Sequence, residues 1–192
     1  MNMETIGRSK KVFLSFILIC FSLILFRPFI VNQIIARGDG YLGYSMYKDA
    51  VREYKKALAL DSNNSTVMNW LGYTYQRIGD IDKAISIYKE AIAIDPEDII
   101  AFHDLGMIYA KDKRFEAAKE YFLKVESMAQ NKQKHSDEEY FFYHFGSLEM
   151  LSICQENLGE INDAIETNEK ILKLYPDRGS SRERLKRLYD MP

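Results

Sequence analysis

Residues 71–96 of this 192-residue chain are LGYTYQRIGDIDKAISIYKEAIAIDP. Gly79-Asp80 divides the stretch, and a glycine followed by aspartate is typical of a tight turn. The stretch therefore predicts two antiparallel helices that are joined at this turn. Asp95 followed by Pro96 predicts the start of a third helix, because aspartate is a good N-cap and proline is tolerated at the first helical position.

The same pattern recurs along the chain with a period of 34 residues. Each copy has a glycine, a tyrosine three residues later, then an alanine, and an aromatic residue four positions after the alanine. The members are Gly38, Tyr41, Ala50 and Tyr54 in the first copy, Gly72, Tyr75, Ala84 and Tyr88 in the second, and Gly106, Tyr109, Ala118 and Phe122 in the third. Agreement of several columns at one fixed spacing indicates a repeat architecture.

This pattern resembles the tetratricopeptide repeat, whose signature is L-G-x2-Y, then A-x3-F/Y, then P. The second copy matches it with Leu71, Gly72, Tyr75, Ala84, Tyr88 and Pro96, and the third adds Leu105 before Gly106. The resemblance implies an all-α solenoid of helix-turn-helix units. In it, small residues let the helices approach each other, and the tyrosines fill the space between neighbours.

A fourth, degenerate copy follows an interruption of 12 residues. Its pattern is Leu151, Ser152, Gly159, Ala164 and Pro176, with serine at the position that glycine occupies in the other copies. Terminal repeats are often atypical, because one of their sides faces something other than a neighbouring repeat. We therefore expect about four repeats.

The expected organisation has four parts. They are a short basic tail at 1–11, a transmembrane signal-anchor helix at 12–31, a repeat domain at 31–178, and a capping helix at 179–192. Within the domain we place repeats at about 31–64, 65–98, 99–132 and 145–178, with a polar insertion near 127–139 that is predicted to be a loop. In the cap, Ser180 or Ser181 is the expected N-cap, and Leu185, Leu188 and Tyr189 form an apolar stripe.

The N-terminal anchor is predicted from an uncharged apolar run at 12–26, which reaches about twenty residues when it is continued to Val31. About twenty residues span a bilayer as a helix. A cleaved secretory signal is the alternative, but small residues suited to cleavage come only at 36–38. Three basic residues precede the run and two follow it, which favours a cytoplasmic N-terminus and an exported repeat domain.

The resemblance also implies a concave groove for a peptide, lined by the first helix of each repeat. The candidate contacts are Asn69, Tyr73, Gln76 and Arg77 in the second copy, His103, Met107, Ala110 and Lys111 in the third, and Glu149, Ile153 and Glu156 in the fourth. An ordinary solvated helix face is the alternative. A clamp for a C-terminal carboxylate is not expected, because Asp39 and Asp104 occupy clamp positions and would repel it.

An aromatic cluster at 140–145 follows the insertion and is too dense to lie on one helix face. In one interpretation an extended helix packs there, with Phe141 and Phe145 on its core side. In the other, Tyr140 and Tyr143 form an exposed docking patch.

The net charge and the motifs of the chain argue against several classes of function. The net charge is −2, and it falls to about −5 without the first 27 residues, which argues against a nucleic-acid partner. The histidines His103, His135 and His144 lack metal-binding spacing, and no catalytic motif is found. We expect no enzyme activity, cofactor or small-molecule substrate.

The predicted function is a membrane-anchored scaffold or assembly factor that binds a protein partner. The alternatives are a secreted or periplasmic soluble repeat protein and a self-assembling structural subunit.

Overall fold

The computed structural model describes residues 25–131 and 138–190. Within these residues the chain is all-helical. The helices are α1 (25–43), α2 (Tyr47–Leu60), α3 (Ser65–Ile78), α4 (Ile81–Ile94), α5 (Ile99–Lys111), α6 (Phe115–Asn131), α7 (Glu138–Leu158), α8 (Ile161–Leu174) and α9 (Gly179–Tyr189).

Consecutive helices pack against one another as antiparallel pairs. From α2 to α9 each helix contacts the next one along the chain, and the first helices of successive pairs also meet, α3 with α5 and α5 with α7. This arrangement confirms the predicted all-α solenoid. Gly79 ends α3 in the left-handed conformation, with a φ of 91°, so that the chain reverses directly into α4.

The recurring glycines lie where two helices of a repeat cross. A Cβ atom added at any of them would fall within 3 Å of the aromatic ring on the second helix of the same repeat. The pairs are Gly38 with Tyr54, Gly72 with Tyr88, and Gly106 with Phe122. All three rings are fully buried. Each of these three repeats is therefore held together by a ring that lies directly against helix backbone.

The other signature residues divide between core and connections. Those in the core are Ala50, Leu71, Tyr75, Ala84, Leu105, Tyr109, Ala118, Leu151, Ser152 and Ala164. Tyr41 is half-buried, Gly159 lies in the α7–α8 turn, and Pro96 and Pro176 are exposed in connections between repeats.

Two predicted helix starts are wrong. The helix after Pro96 begins three residues later at Ile99, and its N-cap is Asp98, whose side chain accepts a hydrogen bond from the backbone N–H of Ala101. Asp95 instead ends α4. At the C-terminal cap, α9 begins at Gly179, so that Ser180 and Ser181 lie in its first turn and do not cap it.

The predicted insertion loop is largely helical where the structure describes it. Residues 127–131 extend α6, and 138–139 begin the 21-residue α7. The remaining residues, 132–137, lie outside the described part of the chain. Most of the extra sequence therefore lengthens two neighbouring helices.

The predicted anchor lies mostly outside the described residues, which start at residue 25. Of the helices that the structure does describe, none is both long enough and apolar enough to cross a bilayer. Large apolar side chains are exposed at Leu25, Phe26, Phe29 and Ile30, in the first described residues of α1.

From Val31 onward α1 packs into the first repeat. Farther along this helix, Arg37 occupies the position where the repeat signature has leucine. Its guanidinium lies 3.7 Å from the buried carboxylate of Glu53 in α2. An ion pair to the partner helix therefore takes the place of an apolar contact in this repeat.

Candidate functional site

A groove of about 970 Å³ runs across the first helices of the second, third and fourth repeats. It is lined by residues of α3, α4, α5 and α7, by the α5–α6 turn, and by Phe115 at the start of α6. Its apolar lining includes Ile85, Met107, Ile108, Met150 and Ile153. Pockets of roughly 300–1,000 Å³ with apolar walls and a few placed polar groups are typical of binding sites.

Seven of the predicted contacts line this groove. They are Tyr73, Gln76, Arg77, Met107, Ala110, Lys111 and Ile153. These positions are related by the 34-residue period between the second and third repeats, since Arg77 and Lys111 occupy the same place in α3 and α5. The groove is therefore built by the repeat register.

Arg77 is held between two aromatic rings. Its guanidinium carbon lies 5.5 Å from the ring centroid of Tyr47 and 5.9 Å from that of Tyr73. It also donates hydrogen bonds to both hydroxyls, at 2.9 Å to Tyr47 and 3.3 Å to Tyr73. Because cation–π contact and hydrogen bonding fix the side chain together, its orientation is set before any partner binds.

A second arginine lies over a single aromatic ring on the next repeat. The guanidinium of Arg114 lies 4.6 Å from the ring centroid of Tyr109. That ring is stacked on Tyr121 at 5.3 Å. The sequence analysis missed both Tyr47 and Arg114, since each lies just after the turn between the helices of its repeat, whereas only first-helix positions were considered.

Two predicted contacts are wrong. Asn69 and His103 are only 6% and 8% exposed and belong to the core. Asn69 donates from its amide to both carboxylate oxygens of Asp98, at 2.9 and 2.8 Å. The Nδ1 atom of His103 shares a hydrogen bond of 2.8 Å with the hydroxyl of Ser147 in α7, and burial lowers the pKa of His103 to about 4. The imidazole is therefore neutral at physiological pH.

The acidic contacts of the fourth repeat are engaged by the capping helix. Glu149 accepts a hydrogen bond of 2.6 Å from the hydroxyl of Ser180. Glu156 forms ion pairs with Arg184 and Arg187 of α9. Neither residue lines the groove, so the groove-lining part of the fourth repeat is Ile153 with the neighbouring Met150.

The aromatic cluster agrees in part with the first interpretation, because α7 is an extended helix of 21 residues and Phe145 is buried. Phe142 is 66% exposed and Phe141 is 47% exposed, whereas Tyr140 and Tyr143 are half-buried. Phe141 was predicted to face the core, yet it covers the buried ring of Tyr175 from outside, at 4.5 Å between centroids. The exposed part of the cluster is therefore the pair of phenylalanines and not the pair of tyrosines.

A partly buried carboxylate lies on α5 at a position that clamp-type repeats use for a ligand. Burial raises the pKa of Asp104 to about 6, the nearby Tyr88 hydroxyl opposes this shift, and Asp98 adds to it. The folded chain therefore keeps a proton on Asp104 over a range of pH in which the unfolded chain has lost it. A ligand carboxylate near Asp104 would make ionisation of this residue still more costly, so binding of a carboxylate here is disfavoured.

We predict a pH signature for this residue. Because its folded pKa is about 6 and its ordinary value is 3.8, ionisation of Asp104 costs stability as the pH rises from about 4 to 6. The gain in unfolding free energy on changing Asp104 to asparagine should therefore increase by about 2 kcal/mol between pH 4 and pH 7. Urea unfolding at several pH values measures this change. Asp82→Asn, at an exposed carboxylate, is the matched control for the substitution itself.

The described residues contain no group of three or more histidine, cysteine, aspartate or glutamate side chains that is placed to hold a metal ion.

Comparison with known families identifies the repeat. Models of the tetratricopeptide repeat match residues 46–79, 63–131 and 147–178. The uncharacterized protein ycf37 of Guillardia theta is 26% identical over 90 residues, which are 44% of this chain and 51% of that protein. The ycf37 protein of Pyropia yezoensis is 30% identical over 78 residues, 40% of this chain and 44% of its own length. The matched region thus spans about half of each relative.

Solved structures give the same fold. The structure of pilF from Pseudomonas aeruginosa has a TM-score of 0.68 at 22% identity and covers 84% of this chain and 68% of its own. MamA from Desulfovibrio magneticus RS-1 has a TM-score of 0.67 at 16% identity and covers 82% of each chain. At such identities the likeness concerns the fold alone.

Proposed function

Because the chain belongs to the tetratricopeptide repeat family, we propose that it is a membrane-anchored scaffold or assembly factor that binds a segment of a protein partner. The observation that carries the proposal is the groove, in which three successive first helices present apolar and charged side chains on one continuous surface. Its arginines are already oriented by aromatic rings. A preformed surface loses little conformational entropy on binding, which favours recognition of an extended or helical segment. No catalytic step is proposed.

We expect a photo-crosslinker in place of Met107 to capture the partner in intact cells, since this side chain is exposed inside the groove. The matched control carries the same group in place of Lys89, which is exposed on α4 and does not line the groove. A discrete adduct from position 107 and none from position 89 supports the proposal. Equal labelling at both positions contradicts it, and an adduct of twice the chain mass supports the self-assembling alternative.

The anchor is the second part of the proposal. Four large apolar side chains, Leu25, Phe26, Phe29 and Ile30, are exposed in the first described residues of α1. They continue the apolar run at 12–24. A bilayer would remove this surface from water at about 25 cal/mol per Å². In this arrangement the N-terminus is cytoplasmic and the repeat domain is exported, and the first repeat follows the membrane directly.

We expect the mature protein to keep its N-terminal segment and to remain in the membrane fraction after alkaline carbonate extraction. Mass spectrometry of the N-terminal peptide checks the first expectation. A mature chain that starts at Asp39 would contradict the anchor and favour the secreted alternative. That cut would also remove most of α1, the first helix of the first repeat.

A further inference from the structure

The lining of the groove combines an apolar surface with exposed cations. Met107 and Ile81 are each 38% exposed there, and Ile85, Met150 and Ile153 are half-buried beside them. Exposed apolar side chains that lie together in a concave surface indicate a contact area for apolar groups of a partner.

Three basic residues line the same groove, Arg77, Lys111 and Arg114. None of them forms an ion pair with a carboxylate in the part of the chain that the structure describes. Two acidic residues, Asp82 and Asp112, also line it. The groove thus carries net positive charge on a chain whose own net charge is −2.

The two guanidinium groups are supported in a way that leaves them able to bind carboxylates. Arg77 lies between the rings of Tyr47 and Tyr73, and Arg114 lies over Tyr109. Arg77 already donates one hydrogen bond from Nη1 to Tyr73 and one from Nη2 to Tyr47. Because each of these nitrogens carries two N–H groups, one N–H on each is left to bind a carboxylate. Lys111 lies in the same register position as Arg77, one repeat along.

We propose that the occupant of the groove is an amphipathic segment of a protein partner, in which apolar side chains are flanked by aspartate or glutamate. This inference rests on the proposed function and specifies the partner's chemistry. The apolar side chains would contact Met107, Ile85 and Ile153, and the side-chain carboxylates would pair with the three cations. It differs from capture of a C-terminal carboxylate, because the cations lie toward the helix turns and Asp104 occupies a clamp position.

The test is selection of random 12-residue peptides displayed on phage against the full chain in lipid nanodiscs. We expect enriched sequences in which leucine, isoleucine or phenylalanine alternates with acidic residues. A synthetic copy of one selected peptide should bind the triple variant R77Q/K111Q/R114Q about tenfold more weakly, since three partly exposed ion pairs of roughly 0.5 kcal/mol each are lost. Its affinity for the unchanged chain should fall as salt is added.

The matched control is K48Q/K89Q/K124Q, which removes the same charge at exposed positions away from the groove. It should bind the peptide as the unchanged chain does, and circular dichroism checks that both variants are folded. Enrichment of basic or uncharged peptides, or equal binding by the two triple variants, overturns this inference and leaves the proposed function standing. Enrichment of no sequence at all overturns both.

Discussion

Changing Gly106 to valine is expected to lower the free energy of unfolding by about 3 kcal/mol, because the crossing of α5 and α6 has no room for a side chain. A Cβ atom at this position would lie 2.6 Å from Cε1 and 2.8 Å from Cζ of Phe122. That ring is fully buried. Chemical denaturation monitored by circular dichroism measures the loss.

The matched control is Gly40→Val in α1, where an added Cβ meets nothing within 4 Å. The helix propensity of valine exceeds that of glycine by a few tenths of a kcal/mol, so the control should change stability little. The double variant Gly106→Val/Phe122→Leu should lose at least 1 kcal/mol less unfolding free energy than the sum of the losses of the two single variants, because both substitutions act on the same contact. Equal losses at Gly40 and Gly106 would contradict the packing explanation.

The fold could be predicted because its determinants recur. Glycine, alanine and aromatic residues at a period of 34 mark the helix crossings, and the structure places those residues at the crossings. The groove was predicted in part for the same reason, since Arg77 and Lys111 share a register position. Periodicity does not show how deeply each position is covered by the next repeat. Asn69 and His103 occupy the same position in the second and third repeats, and both are buried. The next repeat covers each of them with a hydrogen-bond partner, Asp98 at the start of α5 and Ser147 in α7.

The insertion and the arginine supports depend on non-periodic contacts. Lengthening of α6 and α7 follows from packing between two neighbouring helices, which a polar sequence at 127–139 does not reveal. Arg77 is oriented by Tyr47, which lies 30 residues earlier on another repeat. Pairing across repeats is a property of the assembled solenoid. Local sequence patterns therefore predict the helices that form the groove, but they do not predict the side chains that orient its arginines.

The same limit explains why the start of α5 was misplaced. Both Asp95 and Asp98 are acceptable N-caps by residue type, and Pro96 favours the first of them. The decisive contact comes from the preceding repeat, where the amide of Asn69 donates to both carboxylate oxygens of Asp98. Asp98 therefore joins two repeats as well as capping a helix.

Changing Asp98 to alanine is expected to lower the free energy of unfolding by about 3 kcal/mol. Loss of an N-cap costs about 1 kcal/mol. A buried amide that is left without its acceptor costs a further 1–3 kcal/mol. Asp98 and Asn69 are both buried, so water cannot replace the missing carboxylate without opening the contact between the repeats. Thermal and urea unfolding of the variant measure the loss.

Two controls separate the cap from the contact between repeats. Asp95→Ala should cost less than about 0.5 kcal/mol, because this side chain is exposed and accepts only from the backbone of Glu97. Asp98→Asn keeps an oxygen for the N–H of Ala101 and should recover about half of the loss. If Asp95→Ala were the more damaging change, the cap would lie at 95. Alanine and asparagine are both uncharged, so the difference between these two variants reports hydrogen bonding without a change in charge.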